Sequence, residues 1–351
     1  MTERQGLPPS DGLPRGSQQI PAQQVPAQQV PAQQVEEAVA MLGSLVRRDW
    51  PIGPLTTYRV GGPAALFVEV ADHVQLAAVG RAVLATSLPA VVLGRGSNLL
   101  VADGGFPGLV VTLGAAFAGI EIQEHRVRAG GAVSLPVLAR RTAAAGLAGF
   151  EWAVGVPGLV GGAVHMNAGG HGSDMSRCLS RAGVVSLADP DEPGETVMET
   201  GALGYSYRHS NLIPSQVVTW VEMDLDAGNR KRSEGAIADI VRWRREHQPG
   251  GQNAGSVFTN PPGDSSGRVI QAAGLKGHRI GSASISTKHA NFIQADPHGR
   301  ADDVRALIEE VRHLVSQRLG IELVPEVRML GFSEPGTEAA SSAGSRPGRA
   351  S

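Results

Sequence analysis

Glycine limits what this chain can fold into more than any other residue does. From Gly155 to Gly172 it reads GVPGLVGGAVHMNAGGHG. From Val91 to Val101 it reads VVLGRGSNLLV, where an apolar run passes straight into Gly94, Gly96, Ser97 and Asn98 and back into an apolar run. Glycine loses more backbone freedom on folding than any other residue, so stretches this dense are expected where the chain must turn tightly or lie close to a ligand. Around them the β-like runs AALFVEV, AVVLG and LVVTL alternate with helical patterns, which argues a mixed α and β architecture.

Two helical patterns are well marked. SLPVLARRTAAAGLAG carries the capping candidate Ser134, Pro136 in its first turn and a stop at Gly146 or Gly149. ADDVRALIEEVRHLVSQRLG sets Val304, Leu307, Ile308, Val311, Leu314 and Val315 on one face and stops at Gly320. A third, EGAIADIVRWRREHQP, ends before Pro249 and follows the β-like VVTWVEMDL, so a domain boundary is expected near Ala227. The segment 1–35 is rich in Pro, Gln, Gly and Ser and holds PAQQV three times in succession. It buries too little apolar surface to offset ordering and is expected to be a disordered tail, as is the end from about Ser333.

A chain of 351 residues with 42% apolar side chains has room for two or three domains. Its net charge of -2 speaks against a polybasic surface for nucleic acid or membrane, and small or medium polar ligands are the better expectation. No apolar run is long enough to span a bilayer and no basic-then-apolar signal opens the sequence, so a cytoplasmic location is expected. The single cysteine, Cys178, excludes an intramolecular disulfide and any multi-cysteine metal site; it reads as a packed small residue. His165 and His171 read as packing or hydrogen-bonding residues, and no metal is expected.

The loop at Gly94 to Asn98 has two readings. It is a tight hairpin turn, or it gathers backbone N–H groups into a cradle for an anion, pyrophosphate being the natural guest. It lacks the third glycine and following helix of a dinucleotide fingerprint, and the Lys and Ser/Thr of a Walker loop. The longer loop is a glycine-rich turn region, or it allows close approach to a flat, extended ligand. In NAGSVFTNP, Asn253 to Pro261, the residues two before and two after Ser256 are Ala254 and Phe258, so no hydrolase elbow is present. Locally Ser256 reads as a turn residue, Arg208 as a surface ion-pair partner and Glu326 as a strand carboxylate.

Taken in order, TTYRVGGPA, LGRGSNLLV, GVPGLVGGAVHMNAGG, GYSYRHS, AGSVFTNP and VPEVRML resemble MurB, the UDP-N-acetylenolpyruvoylglucosamine reductase family, in its shorter, type II form. The resemblance spans Leu45 to Gly331. It implies an α+β fold with a two-part FAD-binding fold of the vanillyl-alcohol oxidase (PCMH) type and a C-terminal α/β substrate-binding domain. The implied division is 36–112 and 113–226 for the FAD-binding parts, 227–321 for the substrate-binding domain, and 322–332 as a return segment to the FAD-binding body.

The resemblance implies FAD contacts at Gly94, Gly96, Ser97, Asn98, Leu99, Val156, Pro157, Gly158, Gly161, Gly162, Ala163 and Asn167. It implies NADPH as reductant, UDP-N-acetylglucosamine enolpyruvate as substrate and a catalytic set of Arg208, Ser256 and Glu326, in a monomer. Arg208 would meet enolate charge on the pyruvyl carboxylate with fixed planar donors. Glu326 would share a proton with the same oxygens, which needs a raised pKa. Ser256 would deliver the proton to the α-carbon as a general acid. Tyr207 and Asn260 are substrate-positioning candidates, each with a packing or turn role as its alternative. Some relatives carry lysines at two positions where this sequence has His247 and Thr259; Arg242, Arg244 and Arg245 are nearby substitutes for binding phosphates. No long tyrosine-bearing insertion lies between Arg208 and Ser256. Two other readings stand beside this one: an FAD oxidase of the same class, and a nucleotide-binding regulatory protein without catalysis.

Overall fold

The β-like runs form three main sheets in a computed structural model that describes residues 24–26, 29–189 and 194–333. The first has four strands in the order Arg47–Pro51, Pro63–Val70, Phe106–Leu113, Ala90–Val92, the first pair antiparallel and the others parallel. Both of its faces are covered, which is why AALFVEV and LVVTL are almost continuously apolar. Leu66, Val68 and Val70 join Leu109 and Val111 in one core, while Ala64, Phe67, Phe106 and Val110 fill another on the opposite face. The helix α1, Ala32–Leu42, and α2, His73–Thr86, cover the first of these cores through Ala38, Leu42, Leu76, Val79 and Val83.

The second sheet is antiparallel with five strands, ordered Glu195–Glu199, Leu179–Ser186, Gln216–Asp224, Arg126–Gly130, Ile120–Gln123. Its core takes in α3, Leu135–Ala144, the short α4, Val160–Met166, and α5, Arg230–His247. Cys178 is buried there, and burial pushes its thiol up to about 12, so it is inert packing. Ser134 precedes α3 as expected but its side chain makes no capping bond. The third sheet, Arg279–Ile280, Ala283–Ile285 and Ile293–Ala295, packs with α6, Ser266–Ala272, and α7, Ala301–Leu319. The predicted face of α7 is the buried one, and Gly320 closes it with φ of 66°. Its N-terminus is capped from far along the chain: the Asp103 carboxylate accepts from Ala301 N–H at 2.8 Å and Asp302 N–H at 3.2 Å.

One expectation is corrected. The first tail is ordered nearer its start than composition implied: α1 begins inside the third PAQQV unit, and Val25 pairs with Leu330. The reason is that Val30 and Val35 find apolar partners on the α2 side of the first sheet, which a reading of local composition does not reveal. Within the second glycine loop, Val160–Met166 forms a helical turn that packs Val160, Ala163 and Val164 inward. The remaining tail expectations, for 1–23 and 334–351, lie outside the described residues.

Candidate active site

One cavity of about 1390 Å³ is lined by every residue singled out above as an FAD contact or as part of the catalytic set, and by the substrate-positioning candidates Tyr207 and Asn260. That exceeds the roughly 300–1,000 Å³ of an ordinary small-molecule site, leaving room for a cofactor and a substrate together. The strand Leu99–Val101 follows the GRGSN loop and pairs in parallel with Arg328–Leu330, so the loop and the VPEVRML segment share one wall. Gly96 has φ of 55°, and a Cβ there would sit 2.7 Å from Thr56 Cα; only glycine allows Thr57 N–H to reach its carbonyl. Across the cavity, Gly162 faces open space, where an added Cβ would meet nothing within 4 Å.

The catalytic candidates are brought together by backbone pairing. Glu326 N–H donates to Val257 O at 2.7 Å, Thr259 N–H donates to Val324 O at 3.0 Å, and Phe258 bridges Pro325. This short antiparallel contact sets Ser256 beside Glu326. Asn291 locks it: its Oδ1 accepts from Phe258 N–H at 2.9 Å, its Nδ2 donates to Phe258 O at 2.8 Å, and its own carbonyl accepts from Val257 N–H. Ser256 itself follows an Asx turn in which Asn253 Oδ1 accepts from Gly255 N–H at 3.0 Å.

Arg208 enters from the second sheet's side on the reversal Ser206 to His209, whose ends exchange two backbone bonds. Its φ of 57° is left-handed, a conformation that costs a non-glycine residue about 1–3 kcal/mol and is retained at functional sites. Arg208 Nε lies 3.2 Å from Glu326 Oε1, Nη2 donates to Gly169 O at 2.8 Å, and the guanidinium stands 5.1 Å from the Tyr207 ring centre. The two paired side chains are only 21% and 16% exposed. Burial pushes the Glu326 carboxyl above the usual carboxylate range, and the Arg208 charge pulls it partway back.

Several candidates turn out to be engaged by the protein. Asn167, at φ of 42°, donates through Nδ2 to Ser206 O at 2.9 Å and accepts from Ser176 N–H at 3.0 Å, so its side chain holds the reversal that carries Arg208. Asn98 Nδ2 donates to Glu326 O at 3.0 Å, and Asn260 Oδ1 accepts from Ser266 N–H at 3.1 Å. Of the arginine substitutes, only Arg244 lines the cavity; Arg242 pairs with Asp239 on the exposed surface. Thr259 points inward to Val324 O, and His247 stacks on Trp243 at 4.8 Å.

Sequence reasoning passed over the cavity residue Arg328 and the Asn291 clamp. Burial lowers the pKa of Arg244 and brings that of Arg328 down to about 10, so Arg328 remains charged at neutral pH. Arg328 donates to His165 O at 3.3 Å while its buried Nε has no partner. A signal for it was present: two residues from Glu326 on an extended segment, it falls on the same face. His165 is a hydrogen-bonding residue, Nε2 donating to Gln216 O at 2.8 Å, and burial together with Arg328 lowers its pKa to about 4, so the ring is neutral. Among the described residues, no group of three or more His, Cys, Asp or Glu is placed to hold a metal ion, and no helix is long and apolar enough to cross a membrane.

The open glycine cradle, the cavity's size and the partnerless Arg328 Nε fit a large anionic cofactor. Residues 64–189 match the sequence profile of an FAD binding domain. The fold is similar to the crystal structure of UDP-N-acetylenolpyruvylglucosamine reductase (MurB) from Thermus caldophilus, with a TM-score of 0.71 and 35% identity, over 81% of this chain and 99% of that one. Fold and site together define an α+β, FAD-dependent oxidoreductase. Residues 247–330 match the UDP-N-acetylenolpyruvoylglucosamine reductase C-terminal domain. The chain is 43% identical to UDP-N-acetylenolpyruvoylglucosamine reductase 2 of Symbiobacterium thermophilum, over 82% of this chain and 93% of that protein. It is 43% identical to the enzyme of Heliobacterium modesticaldum, over 81% and 90%. It belongs to the UDP-N-acetylenolpyruvoylglucosamine reductase family, whose work is peptidoglycan precursor synthesis.

Proposed function

We propose that this protein reduces UDP-N-acetylglucosamine enolpyruvate to UDP-N-acetylmuramate with NADPH as reductant, Arg208, Ser256 and Glu326 doing the chemistry on the substrate. The observation that carries the reading is the meeting of Arg208 with Glu326 at 3.2 Å on a cavity wall that also presents Ser256. FAD, when bound, would supply the hydride chemistry that links NADPH to the vinyl β-carbon. The backbone of Gly94 to Leu99 and of Val156 to Ala163 would hold it, with Arg328 adding positive charge to the same cavity.

Hydride arriving at the β-carbon leaves negative charge on the α-carbon and its carboxylate. Arg208 stabilises that charge through fixed planar donors, in a half-buried setting where Coulomb attraction is stronger than in water. Burial raises the Glu326 pKa and so favours the protonated carboxyl, which is the form that donates to the same oxygens. Ser256 O–H transfers its proton to the α-carbon, completing addition of hydride and proton across the double bond. Tyr207 and Asn260 line the approach, and Arg244 is the cation we assign to the substrate phosphates in place of the family lysines.

The same reading divides the chain into FAD-binding parts 36–112 and 113–226, a substrate-binding domain 227–321 and a return segment 322–332. The pairing of Arg328–Leu330 with Leu99–Val101 supports that last assignment. It takes the enzyme as a cytoplasmic monomer, and a single buried cysteine suits a reducing compartment. Single-turnover kinetics of Ser256→Ala test the mechanism. Flavin reduction by NADPH is expected to stay near the wild-type rate, while reoxidation by the enolpyruvyl substrate falls by about 10²–10⁴-fold. If both half-reactions keep their rates, Ser256 is not the proton donor.

A further inference from the structure

The PAQQV repeat has no place in the reaction, yet one of its valines stands at the cofactor cavity. Val25 bridges Leu330 in parallel; its N–H donates to Met329 O at 3.0 Å, and its carbonyl accepts from Gly331 N–H at 2.8 Å. It therefore adds a strand position to the pair Leu99–Val101 and Arg328–Leu330 that flanks the GRGSN loop. The side chain packs against the apolar cluster that includes Val91, Leu93, Val101 and Leu330 and lines the cavity together with Gly94 to Leu99. Five and ten residues on, the equivalent Val30 and Val35 pack instead on the α2 side of the same sheet, against the core of Leu76 and Val79. Equivalent valines thus meet different surfaces, and α1 anchors the far end of the segment.

We infer that residues 24–26 form a strap over the FAD cavity, Val25 closing the wall beside the GRGSN loop by strand addition and slowing release of the dinucleotide. Val25 itself is held by two backbone bonds and a half-buried side chain, whereas the opposite wall is built from sheet and helix. A short segment added to a sheet edge by strand pairing opens at lower cost than a wall of packed elements. The residues just before the repeat, SQQI, end in Ile20, so removing 21–25 places isoleucine directly before Pro26, where Val25 stood.

The inference rests on the cavity being the FAD site, and full-length holoprotein tests it. FAD release is followed by flavin fluorescence after dilution into an excess of a flavin-free trapping protein. Val25→Asp sets a charge against the apolar cluster and is expected to speed release by roughly five- to tenfold. The variant lacking 21–25 restores a branched apolar residue and should release within about twofold of wild type. Equal rates for Val25→Asp and wild type overturn the strap. So does slower release or faster uptake in Val25→Asp, which would make the segment a plug, and so does fast release from the variant lacking 21–25. Wild-type protein that carries no flavin and takes none up overturns the FAD reading itself, and the strap with it.

Discussion

Glu326 shows how a single side chain ties stability to chemistry. Its pKa is raised in the folded protein, so between the ordinary glutamate value of about 4.3 and that raised value the native state holds a proton that the unfolded chain has released. The stabilisation contributed by the neutral carboxyl is complete below the unfolded value and is lost as pH rises through the folded one. We expect the stability of wild type relative to Glu326→Gln to fall with rising pH across this window, measured by urea unfolding at a series of pH values. Substrate-driven flavin reoxidation should decline over the same range in wild type and lose that dependence in Glu326→Gln. A flat wild-type profile would show that the proton on Glu326 has no part in the reaction. Arg208, Ser256 and Glu326 were each ambiguous as single letters: an arginine in GYSYRHS, a serine without an elbow and a glutamate in an extended run have bland local roles. Their shared cavity follows from contacts made across the chain, as between Glu326 N–H and Val257 O.

At the scale of elements, the turn that presents Ser256 depends on one buried side chain. Asn291, 3% exposed, holds both the N–H and the carbonyl of Phe258, two groups that have no other route to water. Asn291→Ala leaves them unsatisfied, and we expect a loss of at least about 2 kcal/mol in unfolding free energy by denaturant titration. The same variant should slow reoxidation by substrate more than reduction by NADPH, because the displaced loop carries the proton donor. The helices were legible where their partner surface is simple, as the stripe of α7 shows. Its cap was not: Asp103 lies 198 residues before Ala301, and no window of sequence joins them. α1 escaped for a related reason, since its valines gain their value only from the surface they meet.

For the whole molecule, the cavity wall runs from Val25 to Leu330 and draws on the first two sheets and on the loops at Ser256 and Phe292, so a bound cofactor contacts parts of the chain that would otherwise separate. FAD at about a hundred times its Kd should stabilise the native state by about 2.7 kcal/mol. Thermal unfolding of flavin-free protein titrated with FAD should show the Tm rising by several degrees as a single transition; two transitions, only one of which shifts, would show that the cofactor ties the parts together less than the shared wall implies. The sequence by itself determined the mixed architecture, the strongest helices, the glycine loops and, through the order of its motifs, the family. These depend on local backbone preference, periodicity and the residue types a chemistry needs, all of which are written along the chain. Only the tertiary structure decided that Asn98 and Asn167 brace the site through their side chains, that Arg244 rather than Arg242 reaches the cavity, and that Val25 stands at its edge. Those outcomes turn on which buried polar groups find partners and which apolar faces meet, and both are settled only when distant segments pack together.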